Sequence, residues 1–284
     1  MYNFPIGVLL ESFRQDLYTS IESASKLGLD GIQMFVAHTH SPENTPVSAR
    51  RELLDRVKSY GMKFSALCGD MGCGFANPEN NPIAIEKSKR MLDMSLDLEC
   101  GIVTTHIGVV PEDKSIDRYK IMQEACANLA EYADSVGAHF AIETGPEKSA
   151  TLKAFLDSLG SRGVGVNLDP ANLRMVVGED ESEAVYNLKD YIVHTHAKDG
   201  NMLTKIAPEI IYGIVHPIPQ EFCGVCPFEE VPLGTGSVNF PKYLKALEDI
   251  GYRGFLTIER EVGDNPAADI LTARDFLRAT IENN

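Results

Sequence analysis

Short apolar runs alternate with longer segments of helical spacing along nearly the whole chain. Ile6 to Leu10 is a compact apolar run ending at Glu11, and Asp16 to Leu27 follows with Leu17, Ile21, Ala24 and Leu27 on one helical face. Gly28 is the stop, so the first unit is a strand and then a helix. Gly31 to Val36 is a second strand, ending near His38 and His40. Its helix runs from Val47 to Tyr60, buries Leu53, Leu54 and Val57, and closes at Gly61. Lys63 to Cys68 makes a third strand, followed by a glycine- and asparagine-rich loop from Gly69 to Asn81 that contains Asp70 and Cys73. A long helix then spans Pro82 to Leu98, with Pro82 in the first turn, where its missing N–H costs nothing.

The same alternation continues. Gly101 to Thr105 is the fourth strand, ending at His106, and its helix from Ser115 to Val136 stops at Gly137. Ala138 to Glu143 is the fifth strand and Ala150 to Leu159 its helix. Gly165 to Asp169 is the sixth, with a shorter helical stretch around Glu181 to Leu188, and Tyr191 to His196 is the seventh. There the rhythm breaks. Asp199 to Pro232 holds five prolines and no sustained amphipathic pattern, which predicts a long functional loop over one end of the fold. Gly234-Thr-Gly-Ser237 turns into a helix from Pro241 to Ile250, Gly254 to Glu259 is the eighth strand, and Asp264 to Ile281 closes the chain.

Alternating strands and helices imply a parallel sheet with helices outside. Eight such units in 284 residues favour an α/β fold closed into a single (β/α)8 TIM barrel. An open doubly wound sheet is the lesser alternative, because no GxGxxG follows the first strand. No interdomain linker interrupts the pattern, so residues 1–284 are expected to form one barrel domain with the long loop at about 199–232.

Composition narrows the partners more than the fold. With 44% hydrophobic and 24% charged residues the chain has the makeup of a globular protein. It has no apolar run near the roughly eighteen residues of a membrane span, and Met1 to Ile6 lack a signal-peptide layout, so no membrane association and a cytoplasmic location are expected. A net charge of −15 without a Lys/Arg stripe argues against nucleic acid as a partner. Six scattered cysteines read as reduced thiols. Cys223-Gly-Val-Cys226 is the one CxxC, weak evidence for zinc without a second pair.

The chemistry gathers at the strand ends. Phe140-Ala141-Ile142-Glu143 is an apolar run ending in a carboxylate before Thr144-Gly145-Pro146, and three later segments repeat that layout. They are Val164-Gly165-Val166-Asn167-Leu168-Asp169, Tyr191-Ile192-Val193-His194-Thr195-His196 and Phe255-Leu256-Thr257-Ile258-Glu259. In a barrel, the C-terminal ends of the strands open on one face, where active sites are built. Glu143, Asp169, His196 and Glu259 should therefore converge from strands five to eight. One carboxylate after a strand is ordinarily a helix cap or a loop residue. Four such groups at the same end of consecutive strands instead suit one divalent ion, Mn²⁺ or Mg²⁺ first, with Co²⁺ or Zn²⁺ also compatible. Without a cation, so many ionisable groups in a partly enclosed mouth would be costly.

These segments, with His194-Thr195-His196-Ala197-Lys198-Asp199, Asn167-Leu168-Asp169-Pro170-Ala171-Asn172, Pro232-Leu233-Gly234-Thr235-Gly236 and Gly251-Tyr252-Arg253-Gly254, resemble the sugar phosphate isomerase/epimerase superfamily of xylose isomerase-like TIM barrels, over essentially the whole length. The resemblance implies a single-metal site of Glu143, Asp169, His196 and Glu259, with Glu143 and Glu259 as the acid/base pair on opposite sides of a carbohydrate substrate. A cation on a carbonyl and its neighbouring hydroxyl would acidify the adjacent carbon-bound proton and stabilise an enediolate. Return of the proton to the other face is epimerisation, and return to the adjacent carbon is isomerisation. Loss of a hydroxyl would make a dehydratase, and a barrel that only binds a sugar or partner is the reading from another class.

Supporting residues follow the same strand ends. His106 matches a substrate-side or metal-side histidine of the superfamily. Lys198 shares the parity of His196 and is expected to reach a substrate oxygen, while His194 lies deeper and should support by a hydrogen bond. Glu11, Gln33 and Asp70 end strands one to three, where each either lines the pocket or caps a loop. Asn172 stands where ketose 3-epimerases carry a substrate-holding histidine. The additional histidines of the endonuclease IV group are missing as well. Gly234 to Ser237 is either a phosphate-holding helix start or a plain capped turn. The 199–232 loop is the expected seat of specificity or of contact in a homo-oligomer.

Overall fold

In a computed structural model, which describes residues 2–283, eight of the predicted strands pair in parallel. They are β1 (Ile6–Leu9), β2 (Gly31–Phe35), β3 (Lys63–Cys68), β4 (Ile102–Thr105), β5 (His139–Glu143), β6 (Val164–Leu168), β7 (Ile192–Ala197) and, after two accessory strands, β10 (Leu256–Ile258). The order β1-β10-β7-β6-β5-β4-β3-β2 closes on itself, so the fold is a (β/α)8 TIM barrel.

The outer helices start and stop where local chemistry dictates. In α1 (Leu17–Lys26) the Asp16 carboxylate accepts from the Tyr18 and Thr19 N–H groups at 3.2 and 3.1 Å, capping free donors of the first turn. Next come α2 (Val47–Ser59), α3 (Asn81–Asp97) and α4 (Asp117–Val136), the last ending at Gly137 with φ 76°, a left-handed conformation that glycine adopts without penalty. After α5 (Ser149–Leu156) and β6, the chain makes a short turn, α6 (Pro170–Asn172), runs through a π-helical turn at Leu173–Val177, and enters α7 (Glu181–Asn187).

The lumen near the C-terminal mouth is polar. Gln33 on β2 bonds Thr104 on β4 and His196 on β7, and His194 on β7 bonds Ser65 on β3. These strands are not neighbours, so the side chains must meet across the interior. Register irregularities fall between Ile32 and Gln33 on β2 and between Val166 and Asn167 on β6. Such irregularities commonly re-aim a side chain beside a site.

The segment from 199 to 232, expected from the sequence as one long loop, carries regular elements of its own. It opens with β8 (Asp199–Met202), carries a short helix α8 (Pro208–Ile211), and returns as β9 (Phe228–Val231), which pairs antiparallel with β8 and sets Asp199 opposite Val231. Asp199 anchors its base. The buried carboxylate accepts from the backbone N–H groups of Gly200, Gly234 and Gly236 at 2.9 Å each and of Val238 at 3.1 Å. The Gly234–Ser237 turn is thus wrapped around an anion supplied by the chain itself. The chain finishes with α9 (Phe240–Asp249), β10 and α10 (Pro266–Asn283). Among the described residues no helix is long and apolar enough to cross a membrane.

Candidate metal centre

Strand register and the two-residue period of a strand bring the four candidate donors together. Glu143 lies opposite Asn167, and His196 opposite Thr257. Asp169 and Glu259 follow Asn167 and Thr257 by two residues, one step nearer the mouth. One ligand atom from each of Glu143, Asp169, His196 and Glu259 lies within 4.8 Å of the other three. His196 Nδ1 is 3.1 Å from Glu259 Oε2, 3.5 Å from Glu143 Oε1 and 3.6 Å from Asp169 Oδ2.

Each member is held before any ligand arrives. Asp169 Oδ1 caps α6, accepting from the Ala171 and Asn172 N–H groups at 2.8 and 3.0 Å. Thr144 Oγ1 accepts from Asp169 N at 2.8 Å and donates to its carbonyl at 3.0 Å. The other carboxylate oxygen, Oδ2, is buried with no hydrogen-bond partner and faces the cluster. Buried polar atoms are rarely left unpaired, and an unpaired carboxylate oxygen beside two more carboxylates and an imidazole fits a divalent cation. Glu143 accepts from Asn167 Nδ2 at 3.0 Å on one oxygen and from Asn172 Nδ2 at 3.2 Å on the other. Glu259 Oε2 accepts from Lys198 Nζ at 3.2 Å.

The electrostatics follow from burial set against these neighbours. Burial raises the Glu143 carboxyl, but the His106 and His196 imidazoles outweigh it and leave the group lowered. Glu259 is held well below the carboxylate range because Lys198 and His196 overcome its burial. Burial prevails only at Asp169, which is raised. His196 is driven the other way from burial, well above its ordinary value, by Glu259, Glu143 and Asp169.

The remaining sequence candidates fall in distinct places. His106 stands beside the cluster, with Nδ1 3.1 Å from Asp70 Oδ2 and Nε2 3.6 Å from Glu143 Oε1. Burial lowers its pKa, but Glu143 and Asp70 carry it up to about 9. Lys198 is 5% exposed, and its ammonium lies between Glu259 and Glu261, with Glu230 at 4.0 Å. His194 lies deeper, with Nδ1 2.8 Å from Asn167 Oδ1 and Nε2 2.9 Å from Thr257 Oγ1. Burial and the His196 charge push its pKa well below 6.5. Glu11 is exposed and accepts from the Phe35 N–H at 3.2 Å, on the wall of a cavity of about 680 Å³ shared with His38 and His40. Cys223 and Cys226 are free exposed thiols.

Two residues escaped the sequence reading. Glu147, four residues past Glu143, is buried against the Val110 N–H at 3.2 Å, and burial pushes its carboxyl up to about 8. It lines a cavity of about 780 Å³ that runs from Val110 and Pro111 to Lys205–Glu209 of the 199–232 segment. The four donors line neither cavity. Tyr212 follows α8, and its phenol is raised by burial and by the charges of Glu143, Glu147 and Asp169, so the segment reaches toward the mouth. Asn172 stands out in the sequence as the residue three after Asp169. The burial of Glu147 depends on distant chain and was not legible there.

A closed parallel barrel with four convergent donors at its C-terminal mouth defines a site-bearing α/β barrel. The chain belongs to the xylose isomerase-like TIM barrel family, whose model matches residues 21–280. An uncharacterized protein of Methanocaldococcus jannaschii is 22% identical over 94% of this chain and 86% of its own. An L-ribulose-5-phosphate 3-epimerase of Salmonella paratyphi B is 41% identical over 54 residues, 18% of this chain and 19% of that protein. Among solved structures, a xylose isomerase domain protein from Planctomyces limnophilus superposes with a TM-score of 0.80 at 24% identity, covering 99% of this chain and 97% of that one. A D-psicose 3-epimerase from Clostridium cellulolyticum H10 does so with 0.73 at 16% identity, covering 98% and 99%.

Proposed function

We propose that the chain is a divalent-metal-dependent isomerase or epimerase of a small sugar, sugar phosphate or related ketone. The observation that carries this reading is the orphaned Asp169 Oδ2 facing Glu143, His196 and Glu259 in one buried cluster. Sugar epimerases among the relatives and structural neighbours support it. These four residues would hold the ion, Mn²⁺ or Mg²⁺ by the oxygen-rich donor set, with Co²⁺ or Zn²⁺ compatible. Once bound, the ion supplies Lewis-acid polarisation of a carbonyl and its neighbouring hydroxyl.

The protein's own groups do the proton chemistry. Glu143, ionised and fixed on both oxygens by Asn167 and Asn172, removes the proton beside the carbonyl. Glu259, held by Lys198, returns one to the opposite face or the adjacent carbon. His106, ordered by Asp70, stands beside Glu143 to bind a substrate oxygen.

Metal-stripped protein should lose turnover on a panel of sugars, sugar phosphates and inositol ketones and regain it with Mn²⁺, Mg²⁺ or Co²⁺. Full turnover after complete stripping would sink the metal reading. Glu143→Gln and Glu259→Gln should each abolish turnover; unchanged activity in both would remove them from the proton chemistry, and no turnover by the metal-loaded wild type on any substrate of the panel would leave only a binding barrel. Proton NMR in D₂O should show exchange of solvent deuterium into the substrate without loss of water. Water loss would reassign the site to a dehydratase.

A further inference from the structure

Gln33 is fully buried on β2 and faces His196 across the lumen. The register irregularity between Ile32 and Gln33 sits directly before it. Its amide nitrogen donates to Thr104 Oγ1 at 2.8 Å, and its amide oxygen lies 2.9 Å from His196 Nε2. An amide oxygen can only accept, so the ring nitrogen facing it at 2.9 Å carries a proton; the Asn167 amide nitrogen, farther off at 3.2 Å from Nε2 and 3.4 Å from Nδ1, gives its shorter bond to Glu143 Oε2 at 3.0 Å. With Nε2 fixed as the nitrogen that keeps its proton, the form of the ring that ligates is the one in which Nδ1, which faces Glu259, Glu143 and Asp169, has given up its own. A metal-ligating histidine binds well when its second nitrogen donates to a fixed acceptor, which sets the tautomer and the ring plane.

We propose that Gln33 is a positioning residue for the metal: aimed by Thr104, it holds His196 with the proton on Nε2 and so sets the affinity of the donor cluster for a divalent ion. This rests on the metal reading above. The acceptor is neutral, which is consistent with its surroundings. The cluster already brings three carboxylates together, and a fourth negative charge beneath them would need its own compensation in a buried place.

The test is Mn²⁺ binding by calorimetry, in competition with a chelator, for the wild-type, Gln33→Leu, Gln33→Glu and Thr104→Val proteins, with thermal unfolding of each metal-free protein alongside. Gln33→Leu leaves the His196 Nε2–H without an acceptor and should bind Mn²⁺ about 10- to 100-fold more weakly. Gln33→Glu restores an acceptor and should return the affinity to wild type or tighter. Thr104→Val frees the amide to turn its nitrogen toward the ring and should weaken binding in the same direction. Wild-type affinity in Gln33→Leu would overturn the proposal and leave the metal reading standing. A Gln33→Glu protein as weak as Gln33→Leu would overturn it too, because the side chain would then act through packing alone. If Gln33→Leu does not fold, unchanged affinity in Thr104→Val is the overturning result. A wild-type protein that binds no Mn²⁺ would bring down both readings.

Discussion

Replacing Glu147 with glutamine should make the protein gain stability over wild type as the pH rises. Glu147 is 7% exposed, and its carboxyl accepts from the Val110 N–H at 3.2 Å. Burial raises its pKa from 4.5 to about 8, with Val110 and His106 pulling weakly the other way. Below the unfolded value both states are protonated and nothing is lost. Between the two values the unfolded chain ionises while the folded one stays neutral, so stability falls by about 1.4 kcal/mol per pH unit. From pH 6 to pH 8 the loss is about 2 kcal/mol once titration near the folded value is included. The side-chain amide of Glu147→Gln would keep an acceptor for the Val110 N–H and carry no charge, so the variant escapes this loss. The assay is urea unfolding of both metal-free proteins at pH 6, 7 and 8, comparing midpoints at matched slopes. Parallel pH dependence in the two would refute a buried neutral carboxyl at this position.

Three further outcomes follow from packing and charge. Asp199→Asn turns an N–H₂ group toward backbone N–H donors that the carboxylate now satisfies; losing two of these bonds should cost about 2–5 kcal/mol and speed limited proteolysis within the 199–232 segment, and unaltered cleavage would count against the anchor. Gly163→Ala places a Cβ into the Ala130 carbonyl and the Asp134 N–H of α4, so it should cost about 1–3 kcal/mol or more and lower the melting temperature measurably. Lys198→Met removes a buried ammonium from Glu259 and should destabilise the metal-free protein by about 3–5 kcal/mol in thermal or urea unfolding, whereas a change under about 1 kcal/mol would mean that solvent already screens the pair.

The barrel was legible because its strands are short apolar runs, separated by helical segments that stop at glycines such as Gly137. The convergence of Glu143, Asp169, His196 and Glu259 was legible because each ends one of those runs. Glu143 follows Phe140-Ala141-Ile142, and a parallel barrel forces such ends onto one face. The accessory hairpin was not. Asp199-Gly-Asn-Met202 has no alternation, and what makes it a strand is pairing with Phe228–Val231 and the ring of N–H groups around Asp199. The apolar pattern puts Gln33 at a strand end, but a register irregularity turns it across the lumen, and no local pattern encodes that. Parity puts Lys198 on the His196 side of its strand, but not beside particular partners, and in the structure the ammonium meets Glu259 and Glu261.

If the cluster holds a divalent ion as proposed, cation and proton compete for it, and the competition has a measurable sign. Burial opposes charge on His196, yet Glu259, Glu143 and Asp169 hold its imidazole protonated well above its ordinary value. A divalent ion needs the Nδ1 lone pair, so binding near neutral pH must expel that proton. Glu143 and Glu259, both lowered, are already ionised there and release none. Asp169 is raised by burial, so any proton it holds there adds to that release. Mn²⁺ titrations at about pH 7 in buffers of different ionisation enthalpy should therefore report release of about one proton per ion, with affinity rising about tenfold per pH unit until the imidazole titrates by itself. Release of no proton would mean that His196 is neutral in the metal-free protein, and that the three carboxylates are compensated by Lys198 and His106 alone.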